Sequence, residues 1–253
     1  MKNKQFNLNA WAKAENPFPL FASLREEEPV YWDPVLKGWI LTRYDDVRKT
    51  LRGPEYSSDR LRPFFESLPK EQLDRLPDLS SLIPLWLVFH GPPTHNRLRL
   101  VMNPAFLPAA IARMKPTVEK LVDELIDGFV DRGSVDFIAE FGLLLPGYII
   151  CDLLGVPRSD LTTLKRWSDE LQLFIGGAKM TPDKYTKAQH GTHEMNAYFR
   201  EVIRQKRARP GEDLVSALVA VRDQSGGLSE DELVSICILL IFGGHETLSL
   251  IHI

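Results

Sequence analysis

Residues 228–247 read LSEDELVSICILLIFGGHET, and the surroundings such a helix requires decide the fold. Ser229 and Glu232 stand at the S-x-x-E spacing, in which each side chain satisfies the other residue's free backbone N–H at a helix start. From Ile236 to Phe242 no polar residue interrupts the run. A helix apolar on all sides is stable only when other elements surround it. Seven such residues are too few to span a bilayer, which takes about 20. The stretch therefore reads as a central helix, about 229–253, with the rest of a soluble protein packed around it.

Gly243 and Gly244 then weaken that helix by about 1 kcal/mol each, which makes sense where a flat ligand or another backbone comes close. Thr247 lies four residues beyond Gly243 on the same face. Its hydroxyl can bond to the carbonyl one turn back and loosen the helix there. Glu246 beside it offers a titratable group that can carry protons into a dry pocket. A purely architectural reading stays open: a helix-packing contact at the glycines, with His245 and Glu246 as a buried pair.

Working outward, most of the chain is helical. Residues 17–28 carry apolar groups at helical spacing and stop at Pro29, and 45–52 form a short helix capped by Asp45 or Asp46 and ended by Gly53 and Pro54. Between them, Val30–Trp32 and Gly38–Thr42 are β-prone runs joined by turn residues, which predicts a hairpin. From Leu61 to His90 the prolines at 63, 69, 77 and 84 suggest a long, partly apolar loop, either functional or a lid over the core. Further helices are predicted over 116–133, over two pieces of 135–157 broken at Pro146 and Gly147, and over 158–177, 188–210 and 213–223. The basic run Arg204–Arg209 reads as a solvated helix end. The fold class is mainly α with a small β-sheet, in a single domain.

The balance of 31 Lys plus Arg against 34 Asp plus Glu gives a net charge of −3, so nothing draws the chain to nucleic acid or to an anionic membrane. The basic N-terminus has no apolar run behind it, so it is no signal peptide, and a cytoplasmic location is expected. Cys151 and Cys237 both sit in apolar runs without metal or redox spacing and read as small buried hydrophobes.

A second site lies in HGPPTHNRLRLVMNPAF, residues 90–106. Pro92 and Pro93 suit a helix entry, expected over about 93–106. His95 and Arg99 are four apart and share one face, so together they can grip an anion; Arg97 points elsewhere. A surface His and Arg with no joint role remains the alternative on spacing alone.

Six stretches in order, NPFPLFASLREEEPVYWDP, GWILTRYDDV, PPTHNRLRLVMNPAF, IICDLLGVP, GEDLVSALV and LSEDELVSICILLIFGGHET, resemble the N-terminal part of a bacterial cytochrome P450. The resemblance runs from about Asn16 to Thr247. It implies the cytochrome P450 fold, incomplete at the C-terminus, and a haem b cofactor (iron-protoporphyrin IX). His95 and Arg99 would serve as donors to the haem propionates, with Gly243 and Gly244 at the close approach to haem. Glu246 and Thr247 would act in oxygen binding and proton delivery. It further implies monooxygenation of a small hydrophobic organic substrate with O₂, fed by a ferredoxin or flavin reductase. The segments 63–89 and 171–193 would line the substrate pocket.

The family's axial cysteine, whose thiolate favours O–O cleavage, and its E-x-x-R helix have no counterpart in these residues. The last six residues, LSLIHI, depart from the family pattern and are expected to be non-native, as in a truncated or frameshifted reading. On that expectation residues 1–253 alone are poorly soluble and inactive. The competing class is a non-catalytic helical ligand-binding or interaction protein that uses the apolar pocket without haem.

Overall fold

The computed structural model describes residues 14–34, 37–176, 181–225 and 227–249, and of Gln224, Ser225, Glu246 and Ser249 only the backbone. The chain divides into two compact units, Met1–Ser57 and Ser58–Ile253.

The first unit contains α1 (Phe18–Glu27), β1 (Val30–Asp33), β2 (Gly38–Leu41) and α2 (Tyr44–Arg52). The two strands pair antiparallel with Trp32 opposite Trp39, and the two indoles meet edge to face at 5.2 Å, a favourable cross-strand aromatic pair. The hairpin thus stands where predicted. Helix α2 is not capped by an aspartate: its N-cap is Arg43. Asp45 and Asp46 lie inside the first turn, where they favour the helix through its dipole instead.

The second unit is helical. The segment from Leu61 to His90 is not a loop but a chain of short helices, α3 (Leu61–Glu66), α4 (Lys70–Leu73) and α5 (Pro77–Leu82), followed by 3₁₀ turns at Ile83–Leu85 and Leu87–Phe89. Its prolines start elements rather than break them, since Pro77 opens α5 and Pro69 precedes α4. Leu79, Leu82, Ile83 and Trp86 are at most 2% exposed, so this segment belongs to the core.

Next come α6 (Thr94–Met102), α7 (Pro108–Asp127), α8 (Leu144–Leu154), α9 (Leu161–Ile175), α10 (Lys184–Ala208), α11 (Leu214–Ser225) and α12 (Glu230–Ser249). Helix α7 begins eight residues earlier than predicted and carries Pro116 inside it. The break expected at Pro146 and Gly147 also shifts: a π turn covers Ile138–Gly142, and α8 runs through both residues. Pro146 sits in the first turn, where no intrahelical partner is required of its nitrogen. Gly147 has a packing role instead, since a Cβ there would stand 2.5 Å from Leu161 Cδ2.

Helix α12 is the hub, packed against α5, α8, α9, α10 and α11. Its six residues Leu233–Ile238 are all buried to 3% exposure or less, as an all-round apolar helix must be. The capping box forms as read: the Ser229 N–H donates to Glu232 Oε2 at 2.8 Å, and the Glu232 N–H donates to Ser229 Oγ at 3.0 Å. Each acid in the first turn of α12 also holds an arginine from another element. Glu230 pairs with Arg207 of α10 and Arg222 of α11, Asp231 with Arg200 of α10, and Glu232 with Arg97 of α6. Within the basic run at the end of α10, Lys206 and Arg207 are tied to other elements, while Arg204 and Arg209 stay exposed as expected. Arg207 also reaches Asp223, and Lys206 holds Asp213 at 2.7 Å.

Candidate active site

Helices α6, α7, α8 and α12 enclose a cavity of about 1270 Å³. Ligand pockets for drug-sized molecules run to about 1,000 Å³, so this one has room for a large group. Its wall is apolar, built from Met102 of α6 and Phe106 after it, Ile111, Met114 and Val118 of α7, Ile149, Ile150 and Leu153 of α8, and Leu239 and Leu240 of α12. The charged side chains on it are Arg99, Lys115 and Glu119, and Lys115 and Glu119 neutralise one another at 3.4 Å. Among the described residues, Arg99 is the cation of the wall without an ion-pair partner.

Helix α6 aims its arginines in two directions, as the spacing predicts. Arg97 Nη1 donates to the Gly227 carbonyl at 2.8 Å and its guanidinium pairs with Glu232. Burial pushes the Glu232 carboxyl up, but the bonds from Arg97 and the Ser229 backbone outweigh it and hold the group below its ordinary value. Arg97 thereby pins α6 to the start of α12, while Arg99 faces the cavity. His95, one turn earlier on the Arg99 side of the helix, is half-buried with Nδ1 3.2 Å from Asn96 Oδ1; it is not part of the cavity wall.

On α12, both glycines reach the cavity, for different reasons. A Cβ on Gly243 would meet nothing within 4 Å, so this position opens freely into the space. A Cβ on Gly244 would come within 2.7 Å of Ile150 Cδ1, so Gly244 also lets α8 and α12 approach closely. The packing explanation thus applies at Gly244, and the open-approach explanation at Gly243. Thr247 Oγ donates to the Gly243 carbonyl at 2.6 Å, the back-bond expected from the sequence. Glu246 lies on the backbone of α12, but its side chain is outside the described residues; so are residues 250–253.

Helix α12 carries one further polar group, His245, to which sequence reading gives a role only in the architectural alternative, as a buried pair with Glu246. His245 is 2% exposed, on the face turned to α9. Burial, reinforced by Lys165, pushes its imidazole below the ordinary value, against the opposing effects of Asp169 and the Leu143 backbone.

The two cysteines are inert. Cys151 and Cys237 are fully buried and unlinked. Burial pushes the Cys151 thiol up to about 12, and Cys237 is raised by the same cause.

The segments expected to line a pocket contribute little to this cavity. Of 63–89 only Leu87 and Val88 reach it, and none of the described residues of 171–193 does. The contributions of α7 and α8 were the ones missed. Their signal was present in the spacing of Ile111, Met114 and Val118, three then four apart, a stripe that Pro116 disguises.

Comparison with known proteins places this geometry. No model of a known protein family matches the chain. Curated relatives do: the chain is 32% identical over 251 residues to the cytochrome P450 YjiB of Bacillus subtilis, covering 97% of this chain and 57% of that one. It is 33% identical over 236 residues to vitamin D(3) 25-hydroxylase of Pseudonocardia autotrophica, covering 92% and 55%. Among solved structures, P450BioI in complex with an acyl carrier protein ligated to hexadec-9Z-enoic acid superposes with a TM-score of 0.82 at 28% identity, over 95% of this chain and 60% of that one. The chain spans about half the length of the curated relatives it matches. Among the described residues no helix is long and apolar enough to cross a membrane.

Proposed function

The chain belongs to the bacterial cytochromes P450, and from that premise we propose that the cavity between α6, α7, α8 and α12 is the haem b site of a monooxygenase. The observation that carries this reading is the convergence of Arg99 and Gly243 on one large apolar cavity. A flat macrocycle with ionised carboxylates at its edge needs apolar walls, a cation at one rim and a stretch of helix without side chains. All three are present. Haem, when bound, supplies the dioxygen chemistry that inserts one oxygen atom into an organic substrate, with electrons from a separate ferredoxin or flavin reductase.

The residues of this chain do the rest. Arg99 holds a propionate as a charge-assisted donor, with His95, one turn earlier on the same helix, as the second donor. Gly243 leaves the approach to the macrocycle open, and Gly244 seats α12 on α8. The Thr247 hydroxyl proton is engaged by the Gly243 carbonyl, so the oxygen presents its lone pairs as acceptors until that bond is exchanged; on release, the same hydroxyl donates a proton at Oγ. Glu246, its neighbour, resupplies that proton from outside the dry site. The apolar wall selects a small hydrophobic organic substrate and excludes water.

The test is the gene product that carries this chain, expressed with haem supplied. The expected result is a red protein whose haem affinity falls when Arg99 is replaced by Ala. A colourless protein that takes up no haemin would overturn the reading.

A further inference from the structure

The same turn of α12 that faces the cavity is anchored from behind. Helical residues advance by 100°, so Gly243, Gly244 and Leu240, all in the cavity wall, occupy one side, and His245 points to the other. That side meets α9. Lys165 and Asp169 are the charged groups that act on the imidazole from α9, and the Leu143 backbone acts on it from just before α8. Lys165 and Asp169 are themselves an ion pair, with Nζ 2.8 and 2.6 Å from the two carboxylate oxygens. Between them on the same α9 face lies Ser168, at 0% exposure, whose hydroxyl has no hydrogen-bond partner among the described residues. Lys165, Asp169 and the Leu143 backbone thus set polar groups against the imidazole at an otherwise apolar interface. Polar groups are costly to bury unless partnered, and an aliphatic residue at 245 would fill the same space without that cost.

We infer that His245 is a positioning residue: its imidazole, seated against α9 and the Leu143 backbone, fixes the turn that carries Gly243 and Gly244 at the cavity. The inference deepens the haem-site reading and rests on it for its functional meaning, but the positioning itself is a property of this chain alone. The neutral imidazole is the form that fits. Protonation places a cation beside Lys165 in a site closed to water, so acid releases the turn. Because the folded protein disfavours the proton, stability is full above the unfolded imidazole value of 6.5 and declines as pH falls through that value towards the folded one.

The experiment is hydrogen exchange on the gene product that carries this chain, resolved over 242–248, at about pH 7.5 and about pH 5, with rates corrected for intrinsic exchange. In the wild type these amides should exchange about fivefold faster or more at the lower pH, the low end of a site-to-site coupling. His245→Phe should remove that pH response, and His245→Gln, neutral and polar at both pH values, should keep the turn protected at each. If a variant does not fold, the wild-type profile and the NMR titration of the His245 ring still decide. No acid-dependent opening of 242–248, or a ring that titrates at the ordinary value, overturns the inference. A haemin titration of the same samples separates the two ideas: absence of haem binding bears on the haem-site reading, whereas the exchange profile bears on His245.

Discussion

One substitution, glycine to alanine, made at three helical positions, separates open space from close packing. At Gly243 the added methyl meets nothing within 4 Å, so only the helix-propensity gain remains, about 1 kcal/mol. At Gly191 in α10 the methyl would collide with the Trp167 carbonyl oxygen and stand 3.1 Å from Glu170 Cβ. The obstacle is backbone, so α9 and α10 must separate. Overpacking of that kind costs about 1–3 kcal/mol, which offsets the propensity gain and leaves a net loss of up to roughly 2 kcal/mol. Gly244 falls between, because the end of the Ile150 side chain at 2.7 Å can rotate away. For a chain of this size 1 kcal/mol shifts the melting midpoint by about 2–4 °C, so thermal unfolding followed by circular dichroism resolves the order. Gly243→Ala should melt highest, above the wild type, and Gly191→Ala lowest, below it. Gly243→Ala should also weaken haemin binding, since its methyl enters the cavity. If Gly243→Ala destabilises as much as Gly191→Ala, the assignment of position 243 to open space is wrong.

Three further outcomes follow from the described contacts. Asp78 accepts bonds from Gln189 Nε2 (2.9 Å), His193 Nδ1 (2.9 Å) and Asn196 Nδ2 (2.6 Å), so Asp78→Ala strands three donors and should cost about 1–3 kcal/mol in urea unfolding. Burial pushes the Asp78 carboxyl up, but these three bonds outweigh it and leave it below the ordinary 3.8. Its stabilisation is therefore complete above that value and lost as pH falls through the folded one, a slope that Asp78→Ala should remove from an acid titration. Ser229→Ala breaks the capping box of α12 and should lower stability by about 1 kcal/mol, measured in the same way. Cys151 and Cys237, with raised thiols, should resist a thiol reagent at mildly alkaline pH in the native chain and react only after denaturant is added; prompt labelling of either would show that the core is open.

What could be read from the residues depended on whether local pattern and tertiary demand agreed. Helix α12 was legible from its cap to Thr247 because its cap, its apolar run and its Thr247 back-bond are all local features. The hairpin was legible because Trp32 and Trp39 sit in β-prone runs with turn residues between. The segment 61–90 was not, since its prolines look like breaks until the short helices they open are seen buried against α10 and α12. Pro116 hid the first two turns of α7 in the same way, and with them the part of the cavity wall that carries Ile111 and Met114. At Gly244 the neighbour that requires a missing side chain, Ile150, lies 94 positions away in sequence, a contact no local pattern reports. In the basic run Arg204–Arg209, the ties of Lys206 and Arg207 were not legible because their partners Asp213, Asp223 and Glu230 come from other elements.

The central claim, that Arg99 and Gly243 face a haem site, is tested most directly by the reduced carbon monoxide spectrum of the gene product that carries this chain. A thiolate-type Soret band, retained in Arg97→Ala after refolding and weakened by haem loss in Arg99→Ala, is the predicted result. A protein without a haem spectrum, or one whose haem content is indifferent to Arg99, would contradict the account.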